Sequence, residues 1–182
     1  MDHRIRWVDA YGPHVSVCGM AELAAYRDAG VTHLVSIWPG GASEHDDDVG
    51  RVHAAFHEAD VVFVPVNDVV DPLLPFAPSM SVVADVLRWT SPLTARARVL
   101  VHCAAGVSRS AALAYGILCL HAGEGEEIEC FAHVMGMRPS AAPNDLIVTY
   151  ADTILGRGGA MIRATRPDPF APYAPRVLGF GG

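Results

Sequence analysis

The sequence predicts an α/β domain with a central, mainly parallel sheet flanked by helices. Short β-branched apolar stretches recur along the chain and alternate with longer stretches of helical pattern, the order expected of strands joined by helices. A length of 182 residues, 51% hydrophobic and 18% charged, suits a single folded unit with a substantial core. No internal repeat is present.

Each element has its own signal. Residues 15–18 are a short apolar run that reads as an opening strand. Residues 21–28 read as a helix, with Gly30 placed to stop it. Residues 33–37 (HLVSI) form a second strand, ended by the turn signal Trp38-Pro39-Gly40-Gly41. After a polar, acidic stretch at 43–48, residues 52–59 read as a helix with His53 and His57 one turn apart. Residues 61–66 (VVFVPV) resemble a buried strand whose end, at Pro65, lies near the sheet rim. The Pro-rich stretch 67–78 is a loop. A helix at 79–89 follows, with Val82, Val83, Val86 and Leu87 on one side. Residues 98–101 (RVLV) are another buried strand, and 102–108 a small-residue loop. Residues 110–120 are an apolar, Ala-rich helix expected at the centre. Two more helices are expected at 126–137 and 145–155, the second capped by Asn144 and ended by glycines at 156–159. The domain is expected to span residues 1–162, with a Pro/Gly-rich tail over 163–182.

Charge and cysteine content narrow the function. The formal net charge is −7 and the chain contains no Lys, which argues against binding nucleic acid or an anionic membrane surface. The N-terminal residues lack a secretory pattern, and the apolar runs are too short to span a bilayer. The four cysteines, Cys18, Cys103, Cys119 and Cys130, form no C-x-x-C pair and no zinc spacing with histidines. A reducing cytoplasm is the simplest compartment and would preserve a reactive thiol. His53 and His57 have metal-like spacing but no third ligand, and Asp46-Asp47-Asp48 reads as a solvated charge run, so neither a metal nor a cofactor is expected.

The segment His102-Cys103-Ala104-Ala105-Gly106-Val107-Ser108-Arg109-Ser110 lies between a predicted strand and a predicted helix. A short loop that opens a helix turns its backbone N–H groups inward, and the helix dipole adds positive potential there. A phosphate dianion fits such a cradle. A cysteine at that spot has a lowered pKa, which makes Cys103 a candidate nucleophile. Arg109 offers a planar fork for two phosphate oxygens. Gly106 permits a backbone shape closed to other residues, and Ser110 brings a hydroxyl near the sulfur. His102 is expected to hold the cysteine backbone rather than to titrate. The bland reading of Ser110 is a helix-start hydroxyl. Cys18, Cys119 and Cys130 read as core residues, any of which could pair with an oxidised Cys103 if near enough.

The string His-Cys-x-x-Gly-x-x-Arg-Ser resembles the signature of the protein tyrosine phosphatase superfamily, and Ser108-Arg109-Ser110 is similar to its dual-specificity branch. Arg138-Pro139-Ser140-Ala141-Ala142-Pro143-Asn144 resembles the Arg-x-x-x-x-Pro-Asn segment of that branch. The run from Val61 to Met161, including Asn67-Asp68 and Leu155-Gly156-Arg157-Gly158-Gly159, is similar to a bacterial group of predicted tyrosine phosphatases. The resemblance is dense over roughly residues 15–162. It implies a tyrosine/dual-specificity phosphatase-like fold and hydrolysis of phosphate monoesters, foremost protein phosphotyrosine or a small phosphomonoester, through a phosphocysteine. It also implies an aspartic general acid on an upstream loop. Asp68 stands 35 residues before Cys103 and Asp71 stands 32. The shorter spacing is closer to the branch, whereas Asp68 directly follows the strand as the family pattern has it. Asp68 is favoured, with Asp71 as the alternative; the bland reading of Asp68 is a turn residue capping a backbone N–H. Asn144 would support the phosphate loop besides capping its helix. The loop interior, Ala104, Ala105 and Val107, has no basic side chain, which counts against polyanionic substrates. Two competing readings are a catalytically inactive phosphate-binding module and another cysteine loop enzyme, such as a sulfur transferase or an arsenate reductase.

Overall fold

In the computed structural model, which describes residues 5–166, four strands form one all-parallel sheet. They are β1 (His14–Gly19), β2 (His33–Trp38), β3 (Asp60–Pro65) and β4 (Arg98–Cys103), in the order β1-β4-β2-β3. An isolated antiparallel bridge joins Val8 to Val15. The central position of β4 explains its composition. Residues 99–103 are all buried, and the strand ends on Cys103.

Alternation along the strands sorts the core into two layers. Val15, Val17, Val35, Ile37, Val99, Val101 and Cys103 face one side. There they meet α3 (Met80–Thr90), α4 (Arg109–Ala122), α5 (Glu127–Met137) and α6 (Asp145–Ile154). Leu34, Leu100 and Cys18 face the other side. They pack against α1 (Leu23–Tyr26), which a 3-10 turn (Met20–Glu22) leads into, and against Phe56 just after α2 (Asp47–Ala55). Helix α4 is central: every residue from Arg109 to Cys119 is buried.

Three elements differ from the sequence expectation. Strand β3 is an edge strand in which only Val64 is buried, so its β-branched run does not mark a strand covered on both faces. Helix α2 starts five residues earlier than the apolar pattern suggests and ends at Ala55. Asp47 and Asp48 occupy its first turn, where carboxylates oppose the positive end of the helix dipole. His57 therefore falls in the turn after the helix and does not share a helix face with His53. A further helix, α7 (Ala160–Thr165), follows the glycine stretch. Its start is capped from a distance: Asp152 on α6 accepts N–H bonds from Gly159 (2.7 Å) and Met161 (3.0 Å). Met161 is fully buried. Of the tail expected over 163–182, residues 163–165 belong to α7 instead, and residues 167–182 lie outside the described residues. No helix among the described residues is long and apolar enough to cross a membrane.

Candidate active site

The loop between β4 and α4 lies beside the C-terminal end of β1. Its carbonyls are held outward by two separate parts of the chain, the turn after β1 and the segment after α5. Ala104 O accepts from Met20 N (3.1 Å), Gly106 O from Arg138 Nε (3.1 Å) and Val107 O from Ala142 N (3.0 Å). Ser108 O accepts from Ala112 N (2.9 Å) and Asn144 N (3.4 Å). A trans peptide directs N–H opposite to C=O, so these bonds turn the loop's N–H groups inward. Gly106 N, on the peptide of Ala105 O, donates to Cys103 Sγ at 3.3 Å.

The tight fit of this loop against β1 explains Gly106. Its φ is +71°, and a Cβ there would lie 2.5 Å from Gly19 N and 2.6 Å from the Cys18 carbonyl carbon. A Cβ on Gly19 would in turn lie 2.9 Å from Ala105 O. Two glycines thus face each other across the contact, and only Gly106 was legible from the motif. Behind them Arg138 forms a two-armed ion pair with Glu22, through Nη1–Oε1 (2.8 Å) and Nη2–Oε2. Glu22 Oε2 also accepts from Gly19 N (2.7 Å). Neither Glu22 nor Gly19 signals its place at the site in the sequence, because the groups that tie them to it, Arg138 and Ala105, lie more than eighty residues away.

Cys103 is buried, and Ser110 Oγ lies 3.1 Å from its sulfur. Burial alone would push the thiol pKa up. The Ser110 hydroxyl, the N–H groups of Ser110 and Gly106 and the Arg109 charge outweigh it, and the net shift is downward. Arg109 is itself buried at 6% exposure. One nitrogen, Nη1, is spent on holding Val66 O (2.7 Å) and Trp38 O (3.4 Å) at the ends of β3 and β2. Its buried Nε has no hydrogen-bond partner among the described residues.

Asp68 closes the site from the loop after β3. Its Oδ1 accepts from Ser108 Oγ (2.6 Å) and Asn144 Nδ2 (2.9 Å), and its Oδ2 lies 3.9 Å from Arg109 Nε. Asn144 also accepts from Leu146 N and Ile147 N at 3.1 Å, so one side chain both caps α6 and ties it to the acidic loop. Asn67 anchors the same loop, accepting from Gly40 N (2.9 Å) and donating to Pro75 O (3.0 Å). Asp71 lines one groove with Asp68 but, among the described residues, makes no hydrogen bond or ion pair with the phosphate loop. Its carboxylate accepts from Leu73 N (2.9 Å), as a turn residue does.

His102 faces the opposite side of the sheet from Cys103. Its Nε2 lies 2.8 Å from Ser36 Oγ, which also receives Trp38 Nε1–H (2.8 Å) and lies 3.2 Å from His53 Nε2. A hydroxyl has one proton and two lone pairs. With Trp38 donating, one histidine takes the hydroxyl proton and the other donates its own. Burial, helped by the nearby His53 and Arg109, holds His102 down to about 4, so its ring is neutral. His53, whose spacing to His57 is metal-like in the sequence, thus faces Ser36. All four cysteines are free thiols. Cys18 lies in the core layer opposite that of Cys103, whereas Cys119 and Cys130 meet between α4 and α5.

No family model matches the chain, and no curated protein matches it. Solved structures do. The active form of Tk-PTP is 19% identical at a TM-score of 0.55, over 82% of this chain and 95% of its own. Human DUSP28 is 20% identical at a TM-score of 0.56, over 78% of this chain and 91% of its own. The human tyrosine phosphatase-like serine/threonine/tyrosine-interacting protein is 20% identical at a TM-score of 0.52, over 75% and 84%. The chain therefore has the fold of the tyrosine and dual-specificity phosphatases.

Proposed function

We propose that this protein is a cysteine-dependent phosphatase that hydrolyses phosphate monoesters, protein phosphotyrosine foremost, through a phosphocysteine intermediate. One observation carries the reading: a buried cysteine with a lowered pKa receives Ser110 and Gly106 bonds, next to a buried arginine whose Nε makes no hydrogen bond among the described residues and faces Asp68 Oδ2 at 3.9 Å. In this reading Cys103 Sγ attacks phosphorus in line. The S–P bond forms as the P–O bond to the leaving group breaks, and the electron pair stays on the leaving oxygen. Arg109 and the loop N–H groups bind the three equatorial oxygens as charge spreads over them.

Asp68 is the acid that gives the leaving oxygen its proton. Ser108 and Asn144 occupy its Oδ1, which leaves Oδ2, the oxygen nearer Arg109, for that transfer. Water then attacks phosphorus, Asp68 takes a proton from it, and the S–P electrons return to sulfur. The Ser110 hydroxyl stabilises that thiolate. The engagement of the Asp71 carboxylate in its own turn, with Leu73 N, supports Asp68 in the role. Contacts of Asp68 and Ser110 with the loop favour phosphoester hydrolysis over sulfur transfer, which needs neither. Asn144 is a positioning residue, whereas the His102 ring, expected to hold the cysteine backbone, bonds Ser36 Oγ instead, and its Nδ1 has no hydrogen-bond partner among the described residues. The reading implies a reducing, cytoplasmic setting for the thiol.

The test is turnover of para-nitrophenyl phosphate from pH 5 to 8 by the wild type and by Cys103→Ser, Asp68→Ala and Asp71→Ala. Expected are vanadate-sensitive activity, its loss in Cys103→Ser, and a fall of roughly 100-fold in Asp68→Ala alone. Vanadate binding without turnover would turn the reading toward a phosphate-binding module. The absence of both turnover and vanadate binding would refute the cradle.

A further inference from the structure

A groove of about 800 Å³ adjoins the phosphate loop, and Asp68 and Ser108 belong to its wall. One side is the acidic loop with Val69, Val70 and Leu74; the other is α5 and the segment after it, with Phe131, Met135 and Pro143. Its size is that of a small-molecule pocket, whereas a phosphate needs only the cradle. The charged side chains that line the groove are all acidic. Asp68, Asp71 and Asp145 line it, Asp145 being paired with Arg166 at 2.9 Å, and no basic side chain is among the lining residues.

The phosphatase reading, on which this inference rests, fixes what enters the groove. The general acid must touch the leaving oxygen, so the leaving group's body starts at Asp68, which is the groove wall. We infer that the groove binds the leaving group, and that the substrates are phosphate monoesters of bulky apolar alcohols or phenols, neutral or cationic rather than anionic. Apolar walls gain by covering a ring or a branched chain. A second anionic group on the substrate would face Asp71 with no cation to meet it.

The experiment uses three probes: phenyl phosphate, 2-naphthyl phosphate and 6-carboxy-2-naphthyl phosphate. Both turnover by the wild type and binding to Cys103→Ser, by calorimetry, are measured. Leu74→Ala and Met135→Ala trim opposite walls at side chains outside the buried core. The naphthyl ester is expected to bind roughly 10-fold more tightly than the phenyl ester, and each trimmed variant to lose most of that preference. The carboxylated ester is expected to bind several-fold more weakly than the naphthyl ester. Comparing ratios between variants removes the intrinsic difference in leaving-group reactivity. Equal binding of the phenyl and naphthyl esters, a preference unchanged in both variants, or a preference for the carboxylated ester would overturn the inference, even with full phosphatase activity. Binding with the expected preferences but no turnover in the wild type would instead sink the phosphatase reading and leave the groove's selectivity standing.

Discussion

Lowering the pH should destabilise the fold through His102. The ring is fully buried and is held neutral, with a pKa of about 4, against an ordinary value of about 6.5 in an unfolded chain. The folded value is the lower one, so the unfolded chain binds the proton first. The stability tied to the neutral ring is complete above about pH 6.5 and drains away as the pH falls toward 4. Between pH 7 and pH 5 the linkage amounts to a loss of about 2 kcal/mol, and to about 3 kcal/mol once the pH is below both values. The physical source is the site described above: a proton on His102 would put an imidazolium beside Arg109 and disturb the sharing of Ser36. The assay is urea unfolding followed by tryptophan fluorescence at pH 7 and pH 5, for the wild type and His102→Gln. His33, His53 and His121 are also held below their ordinary values by burial. They act in the same direction in both proteins and largely cancel in the comparison. The wild type should lose about 2 kcal/mol more than the variant over this interval. Equal losses, or an NMR titration of the His102 ring with a midpoint above pH 6, would refute the reasoning.

Three further outcomes follow from the geometry around the loop. Ser110→Ala removes the hydroxyl 3.1 Å from the sulfur, so the pH midpoint for alkylation of Cys103 by iodoacetamide should rise by roughly one unit. Gly106→Ala carries a left-handed backbone cost of about 1–2 kcal/mol, and its methyl would lie 2.5 Å from Gly19 N; a lower melting temperature and loss of vanadate binding should appear together. Arg138→Met strips Glu22 of its two-armed partner and Gly106 O of a donor, which should cost about 1.5–3 kcal/mol in urea unfolding and weaken vanadate binding measured by calorimetry.

The parts of this fold that could be read from sequence are those whose causes are local. The strands at 33–38 and 98–103 carry their own β-branched runs, and α4 announces itself by an unbroken apolar stretch after the loop. Asn144 could be read as a cap because a cap acts two and three residues ahead. Helix α7 could not, because the side chain that caps it sits on α6 and glycines precede it. The start of α2 was hidden for a different reason. Its first turn is acidic rather than apolar, and the dipole, not periodicity, accounts for it. In the site, Cys103, Arg109 and Ser110 are neighbours in sequence and legible as a string. Asp68 rested on resemblance and spacing, and its bonds to Ser108 and Asn144 appear only in three dimensions. Glu22, Gly19 and Ser36 were missed because each is an ordinary residue until its distant partner is known.

The outward ties of the loop carbonyls also bear on how the site comes into being. Their donors are Met20, Arg138, Ala142 and Asn144, so the cradle needs pieces from the first strand connection and from the segment joining α5 to α6 at once. Such contacts between distant parts of the chain close late in folding, after their loop entropy has been met. A partly folded chain therefore has no anion site to offer. An oxyanion that binds the cradle binds the native state alone, and at 100 times its dissociation constant it would add about 2.7 kcal/mol to global stability. Oxyanion affinity and the free energy of folding become one linked quantity, and the cradle acts as a reporter of whether the first and last thirds of the domain have met.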